Sequence, residues 1–344
     1  MAVPPRADID FANLAFAYRP TDGNVRYTWR DGCWDEGVET ESETLPLHIA
    51  ATCLHYGQAV FEGLKVYRAK DGRVLCFRID ENAKRMSHSA ETLMMESPPV
   101  ALFRDAVFRA ARANQRYIPP YGCGASLYVR PLLIGTGARI GVRPADEYML
   151  LVLVTPVGPY FKHGFTPTKL IVEEEFDRAA PLGVGTAKAA GNYAAGMRAT
   201  MRAKEAGYGE ALYLDAKDHK LVDELGAANF FGITKDRRYV TPKSPSVLRS
   251  ITNMSLRTLA PDLGYQVQER SVPVEELDDF VEAGACGTAA VITPIESITL
   301  RGREIVYLTD GKPGPHCTAL YQGLTSIQVG DGDDKYGWTE EIEV

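Results

Sequence analysis

Two Asp-Gly dipeptides, Asp31-Gly32 and Asp71-Gly72, govern what the first half of this chain can become. Asp-Gly between strand-like runs is a hairpin signal, because both residues tolerate the left-handed backbone of a tight turn. Asp31-Gly32 follows the strand-like Tyr27-Thr-Trp29. Asp71-Gly72 joins the tail of residues 46–68, which alternates like a strand, to the run Val74–Phe77. Two hairpins this close predict an antiparallel sheet.

Helices should cover it. One follows Asp80, read as its N-cap, with Ala83, Met86, Ala90, Leu93 and Met94 at three- and four-residue spacing on one face. Arg85 lies beside that face. A second, over 101–116, turns Phe103, Ala106, Val107 and Ala110 inward and is broken by Pro119-Pro120 and Gly122. Two apolar runs follow, 125–131 and 148–154, with Gly135, Gly137 and Gly141 in the loop between them.

A length of 344 residues suggests two domains. The stretch 156–166, with two prolines and two glycines, reads as the linker between a small domain over 1–155 and a larger one over 167–344. The second half alternates strands and helices, so the expected class is α/β (α+β). Strands are expected at 169–172, 211–214, 229–233 and 286–292, the last containing Thr288. Helices are expected after Tyr193 (Ala194, Met197 and Met201 on one face, Gly207 as stop), over 252–260, as a short acidic helix over 274–282, and over 319–328.

Composition narrows the function classes. Hydrophobic residues at 45% and charged residues at 24% are ordinary for a soluble globular protein. A net charge of -7 argues against nucleic acid or an anionic membrane as main partner. The six cysteines show neither CxxC nor metal-ligand spacing with histidine, so the expectation is reduced thiols and no metal. The N-terminus lacks a basic-then-apolar signal pattern, and no apolar run approaches the ~18 residues of a membrane helix. The cytoplasm is the expected location.

The chemistry centres on Lys188, set among glycines and alanines between Gly183 and Gly196, with Tyr193 five residues on. Small neighbours leave room for something flat and bulky. Burial lowers a lysine's pKa and makes its amine a nucleophile, able to form a Schiff base with a carbonyl cofactor such as pyridoxal 5'-phosphate (PLP). The plain alternative is a solvated lysine at a helix start. PLP also needs an anion cradle, a carboxylate for its ring nitrogen and a hydrogen bond to its ring oxygen. Ser250-Ile251-Thr252-Asn253 opens a helix, whose N–H groups suit phosphate. Asp223 and Glu224 are both candidates for the carboxylate.

Several motifs in one order, from about residue 10 to about residue 330, resemble the branched-chain amino-acid aminotransferases, fold type IV PLP enzymes. The resemblance implies a small N-terminal α/β domain and a larger C-terminal domain with an antiparallel or mixed sheet. It implies that Lys188 carries the cofactor and Tyr193 meets its ring oxygen. Glu-x-Gly-x-x-Asn selects Glu224 for the ring nitrogen. Arg85, Ile251, Thr252 and Thr288 are the implied phosphate contacts. The aromatic wall would be Tyr56 and Phe61. Tyr128 and Arg130 would serve both apolar and charged substrates, and Thr288 and Ala289 the α-carboxylate.

The implied reaction passes the amino group of L-leucine, L-isoleucine or L-valine to 2-oxoglutarate in two half-reactions, Lys188 moving the α-proton. The loop around Ile140-Gly-Val142 resembles one that reaches a neighbouring subunit's site, which implies a homodimer with shared sites. The chain departs from the family at Ala227, where many members carry a hydroxyl, at Asn253, where arginine is frequent, and at Ala290-Val-Ile-Thr293, where some animal members carry a redox CxxC. A D-amino-acid aminotransferase or aminodeoxychorismate lyase would share the cofactor residues. The Tyr128-x-Arg130 pair and the length favour the branched-chain reading. A non-catalytic PLP-binding protein is the remaining alternative.

Overall fold

The computed structural model describes residues 6–158 and 165–344. Most of the expected linker, 159–164, lies outside the described residues. The chain forms two compact units that are not contiguous in sequence: Ala187–Gly191 and Ser326–Val344 group with the N-terminal half, whereas the stretch ending at Thr186 groups with Asn192–Thr325.

The first unit holds strands β1 (Asn24–Arg30), β2 (Cys33–Trp34), β3 (Val38–Thr40), β4 (Ala59–Phe61), β5 (Leu64–Arg68), β6 (Val74–Phe77), β7 (Ser126–Gly135) and β8 (Glu147–Val157). With the C-terminal strand Thr339–Glu341 they form one sheet, ordered C-terminal strand-β6-β5-β7-β8-β1-β2, with β3 on β1 and β4 on β7. Every pairing in it is antiparallel. Both Asp-Gly turns lie where expected. Asp31 and Gly32 have φ of 52° and 85°, the paired left-handed residues of a two-residue hairpin. β8 runs through Pro156 and Val157, so the strand enters the stretch expected to be linker.

Helices α1 (Thr52–His55), α2 (Ile79–Thr92) and α3 (Val100–Ala113) belong to this unit. α3 buries Phe103, Ala106, Val107 and Ala110, as its periodicity predicts. α2 differs at both ends. Its N-cap is Arg78, with φ 51°, and Asp80 sits inside the first turn, where a carboxylate faces the positive end of the helix dipole. At the other end the helix stops at Thr92 and the chain turns left-handed at Met94, leaving that side chain 70% exposed instead of on the buried face. One face of the sheet packs on α2 and α3 through Val66, Leu127, Val129, Leu150 and Val152. Strand alternation turns Tyr128 and Arg130 to the other face.

The second unit holds β9 (Thr168–Glu173), β10 (Glu210–Leu214), β11 (Val222–Leu225), β12 (Asn229–Thr234), β13 (Arg238–Pro242), β14 (Gln266–Arg270), β15 (Phe280–Gly287), β16 (Val291–Leu300) and β17 (Arg303–Val306). The order is β11-β10-β9-β16-β15-β12-β13-β14, and β11 also pairs β12, which closes six strands into a barrel. The sheet is mixed: β9 is parallel to β10 and β16, β13 to β14. Helices α4 (Ala190–Glu205), α5 (Ile251–Leu259) and α6 (Pro315–Gln328) complete the set.

Three local expectations are corrected here. α4 buries Asn192, Ala199 and Ala203, and leaves Met197 and Met201 63% and 53% exposed, so its inward face is the small-residue one. The acidic helix is a 3-10 turn, Val274–Asp279, and Phe280 already begins β15. Thr288–Ala290 is a turn between β15 and β16, not strand interior. Val291 has φ 64°, so the unbroken small and apolar run conceals a sharp reversal.

Candidate active site

In the first unit, the backbone fixes Lys188 from two sides. Its N–H donates to Ser89 Oγ of α2 at 2.9 Å, and its carbonyl accepts from the Phe61 N–H of β4 at 3.1 Å. Val60 and Ala189 form an adjacent antiparallel bridge. The side chain is half-buried and lays its Nζ 4.7 Å from the centre of the Phe61 ring. Burial pushes the amine down to about 8; the positive charges of Arg85 and Arg130 add to that, while Glu62 and Tyr128 oppose it.

Tyr128 and Arg130, two residues apart on β7, stand on the same sheet face as one another. An Arg130 guanidinium nitrogen donates to the Tyr128 hydroxyl at 2.9 Å, and the guanidinium lies 4.7 Å from the Phe61 ring centre. Arg130 Nε is buried without a hydrogen-bond partner among the described residues. Gly63 is required beside this pair, because a methyl group there would overlap the Tyr128 hydroxyl. Phe61, Tyr128, Arg130 and Lys188 are thus brought together. Tyr56 is placed differently: it is exposed at the end of α1, and its hydroxyl donates to the Ile140 carbonyl.

Arg85 is engaged by a residue that sequence reasoning passed over. Its Nε and a terminal nitrogen each lie 2.7 Å from a different oxygen of Glu62, a carboxylate with no exposed side-chain surface. Asn82 donates to the same carboxylate at 2.7 Å. Glu62, inside the largely apolar run Val60–Val66, was the available signal, since a charge is buried only when it is paired.

The second unit presents a carboxylate and a helix start. Leu225 N–H donates to the Ala228 carbonyl, so a tight turn joins β11 to β12 and sets Glu224 opposite Asn229. That register is the physical content of the Glu-x-Gly-x-x-Asn spacing. Asn229 Nδ2 donates to Glu224 at 2.6 Å and the Leu248 N–H at 2.7 Å. Arg178, 5% exposed at its side chain, lies 2.8 Å from Glu224 Oε1. Burial raises the Glu224 carboxyl to about 7, and Arg178, Leu248 and Asn229 pull it back. Asp223 points the opposite way and accepts from Ser246. Nothing in the local pattern 176–180 marks Arg178 as buried.

α5 starts one residue earlier than expected. Ser250 is its N-cap and accepts from Asn253 N–H at 3.2 Å, which leaves the first-turn N–H groups of Ile251 and Thr252 without an intrahelical acceptor. Thr288 and Ala289 occupy the β15–β16 turn, half-buried, and an added methyl at Gly287 would lie 3.6 Å from the Ala227 carbonyl. Tyr193 is half-buried in the first turn of α4.

Comparison with known proteins identifies the family. Residues 59–298 match the family described as amino-transferase class IV. A branched-chain-amino-acid aminotransferase of Haemophilus influenzae is 47% identical over 342 residues, covering 98% of this chain and 99% of that one. A solved structure of the branched-chain amino acid aminotransferase from Escherichia coli superposes with a TM-score of 0.74 at 29% identity, covering 93% of this chain and 100% of that one. The crystal structure of the branched-chain aminotransferase from Thermoproteus uzoniensis with norvaline gives 0.76 at 27% identity, covering 93% and 100%. With a family match spanning more than half its length and a near-full-length relative, the chain belongs to the class IV aminotransferases.

Proposed function

We propose that this protein is a PLP-dependent branched-chain amino-acid aminotransferase, passing the amino group of L-leucine, L-isoleucine or L-valine to 2-oxoglutarate. The observation that carries the reading is Lys188, whose amine is brought to about 8 over the Phe61 ring beside Arg130. The donor set suits PLP. A helix start offers the N–H groups of Ile251 and Thr252 to phosphate, with the Thr252 hydroxyl and Thr288 as further donors. Arg85 would add a fixed positive charge, held in place by Glu62. Glu224 would hold a proton on the ring nitrogen, and Tyr193 would donate to the ring oxygen.

When bound, PLP supplies an electrophilic carbonyl and a ring that delocalises negative charge from the substrate's α-carbon. The protein's residues do the rest. Lys188, neutral in an appreciable fraction near neutral pH, takes the α-proton and returns it. Phe61 offers an apolar wall to a branched side chain, with Tyr56 as its companion. Arg130, its buried Nε unpartnered among the described residues, offers a carboxylate donor when glutamate or 2-oxoglutarate occupies the same place, and Tyr128 orients it. Ala289 would lend a backbone donor to the α-carboxylate.

The working form is a homodimer with shared sites. Support comes from the loop between β7 and β8, which exposes Ile140 and Val142 by 75% and 86% and is tied to Ala50 through the Arg139 N–H. Exposed apolar side chains grouped on one loop suit an interface with a second copy of the chain. We place the protein in the cytoplasm; no helix among the described residues is long and apolar enough to cross a membrane. A panel of L- and D-amino donors with 2-oxoglutarate tests the assignment. Turnover is expected with the three L-branched-chain donors and lost in Lys188→Ala. Full turnover by that variant, or a preference for D-donors, would refute it.

A further inference from the structure

Asn253 stands where the resemblance leads one to expect arginine, and the structure gives it more to do than an exposed arginine could. It is the third residue of α5, only 7% exposed, inside a chain of buried hydrogen bonds that belongs wholly to the second unit. Its Nδ2 donates to Thr241 Oγ1 at 2.8 Å and to Asn229 Oδ1 at 3.2 Å, and its Oδ1 accepts from the Tyr239 hydroxyl at 2.9 Å. Asn229 in turn donates to Glu224 at 2.6 Å and to the Leu248 carbonyl at 3.1 Å.

The direction of these bonds is set from the far end. The Phe230 carbonyl can only accept, so the Thr241 hydroxyl gives it its single proton, at 2.8 Å. Thr241 is then an acceptor for Asn253, which fixes which side of the Asn253 amide carries the nitrogen. Tyr239 keeps its proton, because burial raises its pKa well above the ordinary value, so it donates to the other side. An amide held this way can only donate to Asn229 Oδ1. That bond holds the Asn229 amide from its oxygen side, in the orientation whose nitrogen serves Glu224 and the Leu248 carbonyl. Arginine accepts nothing, and could not take the Tyr239 proton.

We propose that Asn253 is a positioning residue that orients the Glu224 carboxylate toward the cofactor's ring nitrogen through Asn229, and so ties the phosphate-binding start of α5 to the opposite end of the same cofactor. The inference rests on the aminotransferase reading above and assigns within it a role for a residue that touches neither substrate nor cofactor. Asn253→Asp is close in shape and reverses the bond direction. Its carboxylate has no proton for Asn229 Oδ1 and repels that oxygen, so the Asn229 amide is pushed away from the position in which it donates to Glu224 and to the Leu248 carbonyl. Asn253→Ser keeps a donor and an acceptor but loses the reach to Asn229.

The test compares two ligands on the full chain stripped of cofactor: pyridoxamine 5'-phosphate, and its 1-deaza analogue with carbon in place of the ring nitrogen. Neither carries the aldehyde, so affinity reads non-covalent contact alone. Asn253→Asp is expected to weaken the natural ligand by about ten- to a hundredfold, the loss typical of a hydrogen bond to a charged group, and the deaza analogue by about twofold or less. Asn253→Ser should show the same selectivity with a smaller loss, and serves if the aspartate variant does not fold. Equal losses for both ligands would mean that Asn253 only stabilises α5, and would overturn the proposal alone. A wild-type chain that bound neither ligand would overturn the aminotransferase reading and the proposal together.

Discussion

Removing either half of the Arg178–Glu224 pair should damage the protein in different ways, because only one of the two charges can be shed. The side chains are 5% and 3% exposed, and the closest approach is 2.8 Å. Glu224→Gln strands a buried guanidinium that cannot lose its proton. Its remaining acceptors are the carbonyls of Ser246 at 2.8 Å and Gly185 at 3.5 Å, and the expected cost is about 3–5 kcal/mol. In Arg178→Met, Glu224 escapes by taking up a proton. In the wild type, burial raises Glu224 from 4.5 to about 7. A carboxyl that binds its proton more tightly when folded loses stability as pH climbs from the unfolded toward the folded pKa, at about 1.4 kcal/mol per pH unit, and is level above. Without Arg178 the folded pKa lies higher still, so the decline continues where the wild type has levelled. The gap between wild type and Arg178→Met should therefore be small at pH 6 and open above pH 7 at about that slope. The double variant should cost less than the sum of the singles by about 1 kcal/mol or more. Urea melts of the apo protein followed by circular dichroism at several pH values between 6 and 8.5 measure all four corners. A constant gap between wild type and Arg178→Met from pH 7 to 8.5 would refute the reasoning, since Glu224 would then carry the same charge with and without its partner.

Three further outcomes follow from the first unit. Lys188 in the apo protein should react with trinitrobenzenesulfonate with a pH midpoint near 8, about a tenth being neutral at pH 7 where an ordinary lysine has well under a thousandth; peptide mapping must separate it from Lys65, which burial also lowers to about 8, and a midpoint above 10 would contradict the burial argument. Gly63→Ala should drive Tyr128 off Arg130, cost about 1–3 kcal/mol in stability and raise KM for 2-oxoglutarate; an unchanged KM with intact fold would show the Tyr128–Arg130 contact to be idle. Arg130→Met should raise KM for glutamate about tenfold or more while leucine turnover stays within a few fold, and equal losses for both donors would place Arg130 outside side-chain recognition.

How far the sequence could be read depended on the separation of the partners that fix each feature. The Asp31-Gly32 turn and the buried face of α3 are set within a few residues, and both were legible. Errors arose where local composition admitted two answers. Thr288–Ala290 reads as strand because alanine, valine and isoleucine surround it, yet one left-handed residue at Val291 makes it a turn. Met94, Met197 and Met201 fit a helical stripe, but helix termination decides the first, and the alanine face of α4 decides the others.

The same rule divides the candidate site. Residues proposed to touch cofactor or substrate sit in short motifs, since each must be presented by its own turn, strand or helix start. The groups that set their charge and aim come from far along the chain: Glu62 for Arg85, Ser89 for the Lys188 backbone, Arg178 for Glu224, Asn253 for Asn229. No periodicity or spacing encodes such pairs. What gives them away in sequence is only the misfit of a polar or charged residue in an apolar stretch, as with Glu62 between Phe61 and Leu64. A buried polar residue must find partners or lose stability, so each misfit points to a partner elsewhere in the fold. Substitution of the positioning residue should then shift the pKa or orientation of the residue it serves before it alters the fold. This separates the two classes by experiment where sequence pattern cannot.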